Sequence, residues 1–228
     1  MLNCACALLF VESENRDMNT MQIHGRRSSH FTRVTLMFAE ELAVAYELVP
    51  IYDMKDLARA RYSDNPALKL PILQRGDDRL FGTINICRGL AEAAHAYDAI
   101  VWPEDVRDTL SRNANELVWH CMSAQVQLVF GTVIGKLPAD NVFFAKGRAG
   151  LEGALQWLDG NLDDALQALP ASRRLSLFEV ALFCLLEHLV WRETLTLDAL
   201  PKLNDFVRSY GQRPSAQRTP YAFDVPPG

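Results

Sequence analysis

Apolar residues at Phe31, Val34, Phe38 and Leu42 recur at intervals of three and four. That spacing puts them on one face of a helix. The short apolar run at 21–24 precedes this helix and stops at Gly25, the pattern of a strand closed by a turn. "AYELVPIY" (45–52) alternates loosely and predicts a second strand. A helix between two strands makes a right-handed crossover joining parallel neighbours. A short helix is predicted over 56–62. "NPALKLPIL" and "QRGDDRLF" then read as a hairpin, because Gly76-Asp77-Asp78 interrupts two short apolar runs. Thr83 opens a further helix bearing Ile84, Cys87, Leu90, Ala91 and Ala94. The order to this point is β-α-β-α-β-β-α, a small sheet with helices on it.

After Trp102-Pro103 the pattern changes. Leu110, Leu117, Val118, Cys121, Met122 and Val129 predict a long helix over 104–130. Leu151, Leu155, Leu158, Leu162, Leu166 and Leu169 mark another, and Leu200, Leu203, Phe206, Val207 and Tyr210 a third. Apart from an ambiguous run at 142–145, no strand signal interrupts them, so the second half is expected to be all helix. In "SLFEVALFCLLEHLVW", Ser176 and Glu179 stand in the S-x-x-E relation of a capping box. The helix that follows is apolar nearly all round and is expected to be central and buried. The expected organisation is an extension over 1–20, an α/β domain over 21–98 and a helical domain over 104–219, with the boundary near 97–103.

Composition narrows the function classes. The chain has 228 residues, 49% hydrophobic and 22% charged, which suits a globular protein with a sizeable core. With a net charge of -5 and no basic stripe, nucleic acid is not an expected partner. Arg26-Arg27 and Arg173-Arg174 are too short to change that. The cysteines (Cys4, Cys6, Cys87, Cys121 and Cys184) are odd in number and scattered, which argues against a disulfide framework. Cys4-Ala-Cys6 lacks a matching second pair, so no metal site is expected. Cys87, Cys121 and Cys184 lie in apolar helical patterns and read as small buried hydrophobes. These features fit a reducing, cytoplasmic setting. The start, "MLNCACALLFVESENRDMNT", is a poor secretory signal and too short to span a membrane; it reads as a disordered extension. No other stretch is expected to cross a membrane either.

Two positions carry candidate chemistry. Pro71 sits at the mouth of a strand, where its missing N–H is tolerated. A cis bond at Leu70-Pro71, the minority isomer, would leave the N–H and C=O of Leu70 to pair with something outside. Ser28 and Ser29 stand where the first strand hands over to a helix. Each is explained as a plain cap, or as the holder of a reactive anion at the positive helix end.

These pieces together resemble the cytosolic glutathione transferase family, in its bacterial, serine-type form. The matching stretches are "GRRSSHFTRV", "NPALKLPIL", "LFGT", "SLFEVAL" and "LPKLNDFVRSYGQRPSAQRT", running from about Met21 to Thr219. The fold the resemblance implies is an α/β thioredoxin-like N-terminal domain followed by an all-α C-terminal domain. The implied activity is glutathione S-transferase chemistry, conjugation of the glutathione thiolate to a small electrophile. Its setting would be detoxification, in a cytoplasmic homodimer, with glutathione as co-substrate and no metal.

The resemblance also assigns roles. Leu70, before Pro71, would pair with the cysteinyl backbone of glutathione. Gly82 and Thr83 fall where the family usually has an acidic residue and a serine to hold the γ-glutamyl carboxylate. Thr83 keeps the hydroxyl, while Gly82 lacks the acceptor. Lys55 lies where some relatives hold the glycyl carboxylate, with an exposed lysine as the plainer reading. Ser28 or Ser29 would stabilise the thiolate. His30 is expected at the surface. Trp119, Met122 and Gln125 lie on the helix that lines the electrophile pocket in the family, with core packing as the plainer reading of Trp119 and Met122.

The magnitudes allow a lone hydroxyl to do this work. A free thiol has a pKa near ~8.5, and lowering it by about two units requires ~2.7 kcal/mol. A hydrogen bond to a charged group supplies about 1.5–3 kcal/mol, and a helix N-terminus adds ~0.3–1 kcal/mol. Two other activities share the pattern. The S-S-x-x-x-R-V spacing also fits a zeta-like glutathione-dependent isomerase, and the same fold can serve as a non-catalytic interaction module.

Overall fold

The computed structural model describes residues 21–226; the extension expected over 1–20 lies outside them. The chain divides into two compact units. The first runs to His95 and takes in the chain again from Ala222. The second spans Ala96–Tyr221.

In the first unit, β1 (Met21–Gly25), β2 (Tyr46–Pro50), β3 (Ile72–Arg75) and β4 (Asp78–Phe81) form one sheet in the order β2-β1-β3-β4. β1 runs parallel to β2, joined by the crossover helix α1 (His30–Leu42), and antiparallel to β3. β3 and β4 make the expected hairpin, turning at Gly76 with φ 58°. α2 (Thr83–Ala93) follows β4 and packs on α1. The core gathers Ile23, Val34, Met37, Phe38, Ile72, Ile86, Cys87 and Leu90.

The helix predicted over 56–62 shrinks to a single 3₁₀ turn, Arg59–Tyr62. The carboxylate of Asp53 accepts the Lys55 N–H and that of Asp56 accepts the Ala58 N–H, both at 2.8 Å. Such local bonds compete with helical ones. Ser63 and Asp64, in the left-handed region at φ 47° and 60°, then end the turn.

The second unit contains α3 (Thr109–Leu128), α4 (Val142–Gln167), α5 (Leu177–Trp191), α6 (Pro201–Tyr210) and α7 (Pro214–Arg218). It is not all helix: β5 (Ile100–Val101) and β6 (Leu175–Ser176) pair in parallel. Two-residue strands are too short for alternation to show. The long helix predicted over 104–130 starts late, at Thr109. There Asp108 caps it by accepting the Ser111 N–H at 2.8 Å, and the charge-stabilising hydrogen bonds hold the Asp108 carboxyl below its ordinary pKa. α3 runs on into a π-helical turn, Val129–Ile134. Gly131 lies in that turn against the ring of Phe144, where a Cβ would come within 2.3 Å of ring carbon. The ambiguous run at 142–145 is the start of α4, capped by Asn141. Contrary to expectation, one stretch, Thr109–Ile134, is long and apolar enough to cross a membrane by length and composition. Within this unit α3 packs against α4 and α5.

α5 is central, buried from Leu177 to Leu186 save for Glu179. Its expected capping box does not form. The Ser176 side chain makes no cap bond, and its hydroxyl has no partner among the described residues. The Glu179 carboxylate instead takes the fork of Arg173, at 2.8 and 2.7 Å. A bidentate, charge-assisted pair outcompetes a bond back to one main-chain N–H. The same pair raises the Arg173 pKa above its ordinary value. Cys87, Cys121 and Cys184 are buried, and burial pushes the Cys121 thiol up to about 12.

Candidate active site at one end of the sheet

Strand register alone brings the candidate residues together. His24 lies opposite Ile72, and Ile72 opposite Phe81. One step outward along each strand, Gly25, Pro71 and Gly82 share one end of the sheet. β2 ends there too, with Pro50 opposite Gly25. The Arg26–Ser29 loop, Leu70-Pro71 and the start of α2 thus occupy one edge.

The loop after β1 is tightly tied. The Gly25 carbonyl accepts the Ile51 N–H at 2.8 Å, and the Arg26 carbonyl accepts the Ser29 N–H at 3.1 Å. Thr32 Oγ1 accepts the Arg26 N–H at 3.3 Å. Gly25 is required for this: a Cβ would come within 2.6 Å of the Thr32 side chain. The two serines divide their tasks. Ser29 has extended backbone (φ -109°, ψ 124°) and its Oγ accepts the Thr32 N–H at 3.3 Å, so it is the N-cap of α1. Ser28, one residue earlier, is 5% exposed. His30 is buried rather than at the surface, with its ring 4.7 Å from that of Phe31.

Leu70 and Pro71 are joined by a cis peptide bond. Leu70 packs with Met54 and Leu68 on the cluster of Ile51, Tyr62 and Ile72. The preceding turn is organised by buried Asn65, which donates from Nδ2 to the Lys69 carbonyl at 2.7 Å and accepts the Ala67 N–H at 3.0 Å. Sequence reasoning missed Asn65 as an organiser; the Asn65-Pro66 turn dipeptide was the available signal.

Gly82 caps α2 with no side chain, at φ 87° and ψ 140°, which side-chain-bearing residues rarely adopt. A residue with a side chain would be strained here. Thr83 is the first helical residue and is buried. The first turn of α2 has no acidic residue and no side-chain cap, so its leading N–H groups point out of the helix unsatisfied by it. Lys55 is exposed, in the loop after β2, with only its main-chain N–H engaged, on Asp53.

Further candidates lie elsewhere. Met122 is core in the second unit and Trp119 is half-buried. Gln125 is buried in a polar network, its Nε2 2.8 Å from Thr194 Oγ1 and 3.2 Å from His188 Nδ1. Near the sheet, burial pushes the Tyr62 hydroxyl above its ordinary pKa, with Asp56 and Asp53 adding to the effect and Arg26 opposing it. A cavity of about 850 Å³ in the first unit is lined by Met21, Leu42, Arg75, Asp78 and Glu92, among others. Met21 starts β1 and Arg75 ends β3, so this cavity reaches the opposite end of the strands from the candidate site. Among the described residues no cluster of His, Cys, Asp and Glu could hold a metal ion.

The chain was compared with known proteins. Residues 23–96 match the family described as glutathione S-transferase, N-terminal domain. No curated protein matches the chain. Among solved structures, it is similar to a glutathione S-transferase from Methylobacillus flagellatus with GSH bound, at 20% identity and a TM-score of 0.71, over 89% of this chain and 100% of that one. It is similar to one from Methylobacterium radiotolerans in complex with glutathione sulfonate, at 18% identity and a TM-score of 0.71, over 92% and 99%. Poplar glutathione transferase F1 follows at 17% identity and a TM-score of 0.64, over 88% and 96%. Residues 23–96 match a glutathione S-transferase N-terminal domain, thioredoxin-like in its sheet and helices, and the chain as a whole has the glutathione transferase fold.

Proposed function

We propose that this chain is a serine-type glutathione transferase, which binds glutathione at the sheet edge and transfers its thiolate to a small electrophile. The observation that carries the reading is the strand register, which aligns Gly25, Pro71 and Gly82 at one end of a sheet matched by the family model. Leu70 would pair with the cysteinyl backbone, Thr83 and the open start of α2 would hold the γ-glutamyl carboxylate, and Lys55 would reach the glycyl end. Ser28 would donate to the sulfur, while Ser29 accepts the Thr32 N–H as the cap of α1; the alanine variants below separate the two. The protein's part is then anion stabilisation and proximity, without a general base. A cytoplasmic homodimer is the proposed setting.

The test is a pH titration of bound glutathione followed by thiolate absorbance, in wild type, Ser28→Ala and Ser29→Ala. The expected result is a thiol pKa about two units below its free value of ~8.5 in wild type and Ser29→Ala, returning towards that value in Ser28→Ala. Equal, negligible effects of both substitutions would remove the serine mechanism. If millimolar glutathione gives no thermal stabilisation, the chain is an interaction module instead, because a ligand that binds only the folded state must raise stability. Turnover of a maleyl-type substrate with return of glutathione would identify the isomerase.

A further inference from the structure

The Arg26–Ser29 loop is bonded by a residue from far along the chain. Asp224, in the tail that rejoins the first unit after Tyr221, accepts the Arg27 main-chain N–H on Oδ2 at 2.9 Å and the Arg27 Nε on Oδ1 at 2.8 Å. The Asp224 side chain is 1% exposed, while that of Arg27 is 52% exposed. A carboxylate buried to this degree is costly unless each oxygen is matched, and here both are. The arrangement is lopsided in an informative way. The two residues lie 197 positions apart, and half of the pairing falls on the Arg26–Arg27 peptide, one residue ahead of Ser28. Arg26 is held by Thr32, and Ser29 by its bond to Arg26 and its capping of α1. Asp224 therefore anchors the intervening stretch, fixing the plane of the Arg26–Arg27 peptide and the Arg27 side chain, and so narrowing the path by which the chain reaches Ser28.

We propose that Asp224 is a positioning residue for Ser28: the carboxyl-terminal tail locks the loop so that the Ser28 hydroxyl is aimed at the glutathione sulfur. The inference rests on the serine mechanism proposed above. Its physical basis is that a displacement of about 1 Å at a positioned group can cost ~100-fold in rate. A single hydroxyl on a loop has no second donor to compensate for such a shift.

The experiment measures the thiol pKa of bound glutathione in wild type, Ser28→Ala, Asp224→Ala, Asp224→Asn and Arg27→Ala. Glutathione affinity and melting temperature are measured on each full-length variant. Asp205→Ala, in an exposed ion pair with Arg208, serves as a control for the loss of a surface carboxylate. The expected result is a rise of about one unit in Asp224→Ala, a roughly 3-fold loss of thiolate at neutral pH if the wild-type value is about two units below ~8.5. Smaller rises are expected in Asp224→Asn, which keeps an acceptor for the main-chain N–H, and in Arg27→Ala, which loses only the side-chain arm. The control should titrate as wild type. A role confined to holding the tail down would lower the melting temperature and leave the pKa alone. Should Asp224→Ala fail to fold, Asp224→Asn and Arg27→Ala decide the matter. A wild-type pKa in the folded Asp224 and Arg27 variants, with Ser28→Ala shifted, overturns the clamp and leaves the serine mechanism standing. A wild-type protein that leaves the thiol at its free pKa overturns both.

Discussion

Two helices begin at the same end of the sheet, and they begin differently. α1 satisfies its own start: Ser29 turns its hydroxyl onto the Thr32 N–H. α2 does not: it opens on Gly82, whose φ of 87° suits glycine and which offers no side chain to the helix. A helix N-terminus carries partial positive charge and unsatisfied donors. Where a side chain fills the position, little is left for a ligand. Where none does, a carboxylate from outside can take it. The contrast supports the proposal that the anionic end of glutathione lies at α2.

The largest effect that could break this comparison belongs to Ser28. Replacing it with alanine should lower kcat/KM at neutral pH by roughly 25-fold, as the thiol pKa returns by about two units. Steady-state rates across pH check this, since the loss should shrink as the pH rises past the free thiol value. Next comes Thr83→Val, which keeps the shape of a buried residue and removes its hydroxyl. Glutathione binding should weaken by about 10-fold, equivalent to ~1.4 kcal/mol, with the thiol pKa of the saturated complex unchanged. Calorimetry separates the two outcomes. An unchanged Kd would mean that the open start of α2 holds the ligand by main-chain donors alone.

How much of this was legible in the sequence differs from element to element. The spacing of Val34, Phe38 and Leu42 revealed α1 because one face of that helix meets the sheet and the core. The Gly76-Asp77 turn revealed the hairpin because a positive φ is needed there. Local signals failed where a competitor lay outside the local window. Ser176 and Glu179 have capping-box spacing, but Arg173 takes the carboxylate and β6 takes the serine's backbone. The residues at 56–62 look helical, but Asp53 and Asp56 bond the Lys55 and Ala58 N–H groups in local turns, and only a single 3₁₀ turn follows. Asp224 was invisible for a simpler reason: no periodicity or motif links a tail residue to a loop 197 positions away. The assignment of Ser29 rather than Ser28 as the cap depended on one residue of register at the helix start, which hydrophobic spacing does not resolve.

Ser29→Ala sharpens the comparison from the other side. Loss of an N-cap hydroxyl costs ~1 kcal/mol, or about 2–4 °C in melting temperature for a chain of this size. The thiol pKa should stay at its wild-type value. A variant that kept its stability and lost the thiolate would reverse the assignment of the two serines.

The smallest effect comes from His24, the residue before Gly25 in β1. Burial depresses its pKa below the ordinary 6.5, with the charge of Arg79 acting the same way and a hydrogen bond to Gln74 and the charge of Glu47 opposing it. The folded state therefore favours neutral imidazole. Its contribution to stability is intact above about 6.5, declines as the pH falls below that value and the unfolded chain takes up a proton, and levels off below the folded pKa. Melting temperature should fall modestly on going from about pH 7 to about pH 5, and His24→Gln should flatten that slope. The thiol of bound glutathione, if lowered by about two units from ~8.5, ionises at or above this window. Ser28→Ala should therefore move the acid limb of the activity profile upward and leave the slope of stability against pH in place, while His24→Gln should do the reverse. If one substitution moved both curves together, the sheet edge would be titrating as a single unit. The separate tasks given to the start of α1 and the strand beneath it would then have to be merged.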